Sequence, residues 1–451
     1  MNIEWKKVEL PDFDVKDEMP EIPRSIYETR CEQLYRACNS KWVVVYGDRE
    51  HFANMHYFTE FDPRWEEALL ILGPNNSKYM LIGNEGIIYE SVIKPDVEIV
   101  LCQSFSLMGQ DRTKSKKLED ILIDIGLAKG DRVGVCGWKY VELSEVGNHQ
   151  AYFVPTFIID CIQTIIGSSE GLTDVTKKVM HPITGLRAHN EVEQLAVFEW
   201  GAARASKALW NIVKGTKPGI SEFEAVSHMG YAGEPLTMFM NYATGKDAIV
   251  GLRSPSGKQI EKGDGIFTAL GYRGGLSCRA GLVEAENEEF LNKWAIPYYK
   301  GIVAWYETAA VGIKGGDVHK RVTEVMEEGG LRPLLNPGHS TGMDEWLHTF
   351  FTPGNDDVIA SGMAIQCDII PTPLADGIQL NSEDMVVFAD EDLRQTIKEK
   401  YPEMWKRVKA RQYFMRDSLG INISDDILPF STTPGYYAPL FLSPDHVLVV
   451  K

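Results

Sequence analysis

The chain has 451 residues, more than one ordinary core organises, so two domains are expected. Hydrophobic residues make up 44% and charged residues 24%, a globular balance that excludes a disordered, collagen-like or coiled-coil chain. The net charge of −18 repels polyanions and argues against broad binding to nucleic acid or to an anionic membrane.

Residues 1–23 are polar, acidic and proline-punctuated, and read as an extended arm without the apolar core of a secretory signal. A helix-like stretch runs from Ser25 to Cys38. The short apolar runs Lys41–Tyr46 and Ala68–Leu72 read as buried strands, and Tyr79–Ile82, Val97–Leu101 and Arg132–Cys136 continue the pattern. A helical segment lies near Lys117–Ile125. Strands alternating with helices make an α/β domain, which ends at about residue 180.

The second domain, 181–451, opens on a long helix. Leu195, Phe198, Ala202, Ala205, Leu209 and Ile212 form one apolar stripe at spacings of three and four. Asn190 followed by Glu193 resembles a capping box, and the helix ends before Lys217-Pro218-Gly219. Another helix is expected from Asn287 to Val311. Strands are expected at Gly265–Leu270, Ala364–Ile370 and Met385–Phe388, separated by long irregular segments, which makes this half α+β. No run of about 18 apolar residues predicts a membrane span. The seven cysteines are odd in number and contain no CxxC pair, which fits a reducing cytoplasm.

The segment from Leu186 to Glu224 closes on Lys217-Pro218-Gly219. Glu261-Lys262-Gly263-Asp264 stands before an apolar strand. Gly338-His339-Ser340-Thr341-Gly342, Ser361-Gly362-Met363, Asp376-Gly377-Ile378 and Glu383-Asp384 follow in that order. The ordered set resembles the creatinase/aminopeptidase P/prolidase superfamily. The resemblance implies a creatinase-like α/β N-terminal domain, a C-terminal domain of the "pita-bread" fold, and a homodimer.

Metal-using members of that superfamily hold two divalent ions with two aspartates, a histidine and two glutamates, since hard cations want several anionic oxygens. The resemblance places Ala269 at the first aspartate and Arg279 at the second, allowing a loop one residue shorter. It keeps the histidine as His339 and replaces the first glutamate by Asp368. Strict spacing from Gly377 puts Asn381 at the second glutamate. Matching the following apolar strand puts Glu383 there, and the strand phase favours Glu383. On this reading the two-metal cluster is absent, and no cofactor is expected beyond a weak single divalent ion at His339, Asp368 and Glu383.

Relatives such as creatinase break a C–N bond without metal, using a histidine whose position here falls at Leu252 or Arg253. A second family histidine is replaced by Trp346, and His348 two residues on can substitute for it. Arg64 stands near a position where creatinase uses an arginine to hold the substrate carboxylate; the other reading of Arg64 is a surface salt bridge. If Arg253 and Arg279 face the cleft, it becomes cationic with an aromatic wall and suits a small anionic ligand. The alternative is that each arginine pairs with a nearby carboxylate. Gly338–Gly342 also matches G-x-S-x-G, but the turn before it lacks the strand that a nucleophile elbow needs. Cys278 beside Arg279 is either a reactive thiolate or a buried inert thiol.

The leading expectation is a metal-independent, creatinase-like hydrolase or lyase. It would act on a small, anionic, nitrogen-containing compound, with His339, Asp368 and Glu383 catalytic and Arg253, Arg279, Trp346, His348 and Arg64 binding substrate. The alternatives are a non-catalytic binding protein of the same fold and a metal-dependent Xaa-Pro peptidase with rearranged ligands.

Overall fold

The computed structural model describes residues 1–147, 150–248 and 251–451. The chain divides into two compact units, one of Ile22–Ala188 and one of Met1–Glu21 with His189–Lys451. The boundary therefore falls eight residues later than the sequence places it. The N-terminal segment belongs to the second unit, because Ile3–Lys7 pairs antiparallel with His446–Val450, Ile3 opposite Val450. Nothing local announces that pairing, since its two strands lie at opposite ends of the chain.

The unit Ile22–Ala188 holds a six-stranded mixed sheet. In spatial order its strands are Glu98–Leu101, Lys78–Ile82, Ala68–Leu72, Trp42–Gly47, Val133–Cys136 and Leu172–Asp174. The apolar runs become strands because both faces are covered, which is why they do not alternate. Val44, Tyr46, Leu69 and Ile71 pack with Ile121 and Leu122 of the helix Leu118–Asp124 and with Ile158 and Ile162 of Thr156–Ile166.

The second unit is built on a seven-stranded antiparallel sheet. Its strands, numbered in chain order, are β1 (Leu236–Thr244), β2 (Gly265–Tyr272), β3 (Gly275–Leu282), β4 (His339–Ser340), β5 (Ala364–Cys367), β6 (Asn381–Phe388) and β7 (Ile427–Pro429). The spatial order is β4-β5-β6-β3-β2-β1, with β7 also on β6. The helix Val192–Gly215 packs its stripe on β2 and β3. It starts one residue later than a capping box at Asn190 requires: Glu191 is the cap residue, and the Asn190 amide instead donates to the Gly362 carbonyl at 2.9 Å. Thr216 ends it, one residue before Lys217. The expected helix from Asn287 is present as Glu288–Phe290, a π-helical turn Leu291–Ala295, and Ile296–Thr308.

Helix and hairpin approach backbone to backbone. A Cβ on Gly275 would stand 2.2 Å from the Ala202 nitrogen, and one on Gly201 would stand 2.2 Å from the Tyr272 carbonyl oxygen. Neither obstacle is a flexible side chain, so the helix itself must move. Gly275→Ala is expected to cost about 1–3 kcal/mol in urea unfolding, and an unchanged midpoint would show that the helix yields freely.

Candidate functional site

Strand alternation sorts the residues of this unit onto two faces. Cross-strand partners share a face, so the register carries one row across the sheet: Asn241, Ala269, Cys278 and Glu383. Gln366 opposite Met385, and His339 opposite Gln366, lie on the same face. Arg279, opposite Thr268 and Ser382, lies on the other, as does Asp384 opposite Ser277. Glu383 and Asp384 are neighbours in sequence and therefore serve opposite sides of the sheet.

This corrects the reading of Arg279. Its guanidinium points away from His339 and Glu383 and is only 2% exposed. It donates to Asp384 Oδ2 at 2.8 Å and to the Thr433 carbonyl at 2.7 Å, with a further bond to the Glu383 carbonyl at 3.1 Å. Thr432 next door bonds Ser206 of the long helix at 2.9 Å, so this is the helix-covered face. Burial pushes Asp384 up to about 6 against the pull of Arg279. Arg279 is a structural cation, not a substrate clamp.

The opposite face gathers a histidine and three carboxylates. His339 is fully buried. Its Nε2 lies 3.3 Å from Glu383 Oε1 and 3.4 Å from Glu345 Oε1, and its Nδ1 faces the Ser340 carbonyl at 3.3 Å. Both nitrogens thus meet acceptors, which suits an imidazolium. Burial opposes that charge, but the bond to Glu383 and the charges of Glu345, Glu383 and Asp368 prevail and raise the pKa to about 9. Glu383 is held well above the usual carboxylate range by burial and by Asp368, with His339 pulling the other way. Burial likewise raises Asp368 and Glu345. Asp368 Oδ1 accepts from Asn381 Nδ2 at 3.2 Å. Asn381 and Glu383 are thus both on the site face, with Glu383 meeting His339 and Asn381 meeting Asp368.

Trp346 stands against His339. Its ring stacks on His339 with centroids 4.2 Å apart and 21° between planes. The other expected binding residues are engaged elsewhere. Arg253 bonds Glu222 Oε1 at 3.2 Å, and His348 Nδ1 meets the Thr349 carbonyl at 2.8 Å. Arg64 belongs to the other unit, where it bonds Asp62 at 2.9 Å and the Tyr89 hydroxyl at 3.2 Å. Cys278 is fully buried, and burial with the charges of Glu383 and Asp368 lifts its thiol well above the usual range, so it is the inert alternative.

Glu345 was not foreseen. It follows the Gly338–Gly342 segment on a loop, in no motif, and the one hint is its place beside Trp346. His339, Glu345 and Glu383 each offer one ligand atom, all within 4.8 Å of one another. One imidazole and two carboxylates are a suitable donor set for one divalent ion. The expected trio had Asp368 in place of Glu345; Asp368 Oδ1 accepts from Asn381. Ala269 and Cys278 occupy the row beside Glu383, and Arg279 is on the far face.

No family model and no curated protein sequence matches the chain. Solved structures do. A prolidase from Thermococcus sibiricus matches with a TM-score of 0.65 at 15% identity, covering 82% of this chain and 96% of that one. An X-Pro aminopeptidase from Thermotoga maritima gives 0.63 at 14%, covering 81% and 95%. A structure described as a putative aminopeptidase P from Bacillus anthracis gives 0.61 at 13%, covering 86% and 99%. The chain shares its fold with these peptidases. Among the described residues no helix is long and apolar enough to cross a membrane.

Two expectations follow. Arg279→Met leaves Asp384 buried without its cation and should cost about 3–5 kcal/mol in denaturant unfolding, whereas a substrate-binding arginine would leave stability unchanged. His339 has its pKa raised on folding, so its stabilisation is fully present below its unfolded value near 6.5 and disappears as pH rises through about 9. The stability difference between the native protein and His339→Gln, followed from pH 6 to 10 without added metal, should shrink across that window. A difference that does not vary with pH would show His339 to be neutral throughout.

Proposed function

We propose that this chain is a hydrolase that cleaves Xaa-Pro peptide bonds with one divalent ion held by His339, Glu345 and Glu383. The observation that carries the reading is the convergence of those three donors on the face of a fold shared with prolidases and aminopeptidases P. When bound, such an ion lowers the pKa of its water and polarises the scissile carbonyl. The chain supplies the rest. The Nδ1–H of His339, aimed at the Ser340 carbonyl, fixes the tautomer that leaves Nε2 free to ligate. Trp346 covers the ring and keeps bulk water from it. Asp368, half-buried and with its carboxyl pushed up by burial, would take a proton from the attacking water and give it to the departing prolyl nitrogen. With Arg279 on the far face, the cluster is acidic, and the case for an anionic substrate loses its main support.

A second reading keeps the metal-independent hydrolase or lyase expected from the sequence. Its support is that both His339 nitrogens face acceptors, so the imidazolium can act as a general acid unaided.

Metal analysis beside dipeptide hydrolysis separates the two. The proposal expects about one divalent ion per chain, turnover of Xaa-Pro dipeptides that chelation abolishes, and a loss of at least about 100-fold in Glu345→Gln and Glu383→Gln. Inertness with manganese, cobalt, iron and zinc would dispose of it. Turnover that survives chelation would establish the second reading.

A further inference from the structure

The three donors of the candidate site are carried in two different ways. His339 stands on β4 opposite Gln366, and Glu383 stands on β6 opposite Cys278, so the sheet fixes both. Glu345 stands on the loop 341–347. That loop is tied at its base, where the Ser340 N–H donates to the His348 carbonyl at 2.7 Å and the Leu347 N–H donates to the Ser340 carbonyl at 3.0 Å. Its first residues are held as well. The Thr341 N–H donates to the Ala364 carbonyl and the Gly342 N–H to that of Asp344, both at 3.0 Å. The stretch that follows is not held in this way: the backbone N–H groups of Glu345 and Trp346 have no backbone partner among the described residues.

Two side-chain contacts keep that stretch in place. Trp346 stacks on the His339 ring. The Glu345 carboxylate is paired with His339 Nε2 at 3.4 Å, while the charges of Asp368 and Asp344 push against it. The Glu345 side chain is 35% exposed where His339 is fully buried, so the carboxylate reaches the site from its open side. A divalent ion on Nε2 would put two positive charges where an imidazolium has one, and would offer Glu345 a bond in place of a contact.

We propose that residues 344–346 are a clasp that the ion closes: Glu345 is the last of the three donors to engage, and the same movement seats Trp346 on the His339 ring. This rests on the one-ion reading of the site. The open form offers the ion only His339 and Glu383, and the closed form adds Glu345. The ion therefore favours the closed form, and binding and closure are one equilibrium.

Chymotrypsin cuts after Trp346 when the clasp is open, so the rate of that cut in the full-length protein, read by mass spectrometry, follows the open population. Manganese at ten times its dissociation constant should slow the cut about tenfold. Cleavage after Trp65, which is exposed on the other compact unit, should keep its rate. Chelation should restore the fast cut. In Glu345→Gln at equal manganese occupancy the slowing should fall below about twofold, because the ion no longer distinguishes open from closed. Glu345→Asp keeps the charge but shortens its reach, and should give an intermediate slowing should Glu345→Gln fail to fold. Manganese bound without slowing the cut, or slowing it equally in native protein and in these variants, would overturn the clasp and leave the one-ion reading standing. Protein that binds no manganese, cobalt, iron or zinc would overturn both.

Discussion

The buried ion pair between Arg279 and Asp384 governs what the site face can be. A guanidinium taken out of water needs a carboxylate and further acceptors, and here the Thr433 and Glu383 carbonyls complete the set. Once Asp384 is committed to Arg279 on the helix-covered face, the two-residue period of β6 puts Glu383 on the opposite face. The same period in β3 puts Cys278 beside Glu383. One pair beneath the sheet thus fixes which carboxylate above it remains for chemistry, and it keeps the cation of Arg279 out of the cluster.

The fold was legible because its evidence is local and repeated. The stripe from Leu195 to Ile212 can only be a helix with one buried face, and runs such as Ala68–Leu72 can only be strands covered on both sides. The direction of Arg279 was not legible in the same way. It depends on a register counted through the hairpin of β2 and β3, and a shift of one residue sends a side chain to the other face. Aligning Arg279 with a family aspartate required a shortened loop, and that allowance exchanged the faces. The hairpin pairs Ala269 with Cys278, so the side chains sharing its face are Cys278 and Ala280, small and apolar.

His339 and Glu383 were legible as parts of motifs. Glu345 was not, because its role is set by where a loop returns. The bridge between Ser340 and His348 folds residues 341–347 back on β4, which lays Trp346 on His339 and brings Glu345 to its Nε2. A pattern fixed by such a return has no sequence period. Asn190 shows the same limit on a smaller scale: its spacing to Glu193 fits a cap, but the Gly362 carbonyl claims its amide.

The cluster that results has more negative capacity than one imidazole can balance. Glu383, Glu345 and Asp368 are all pushed up by burial and His339 is pushed up by its carboxylate neighbours, so the group holds protons more tightly than the free side chains and limits its own repulsion. Protons and a divalent cation compete for the same oxygens and the same Nε2, since each ligand must be deprotonated to coordinate. Arg279 in the cleft would have favoured an anionic substrate; with Arg279 beneath the sheet, its guanidinium is paired with Asp384 and is not part of the cluster.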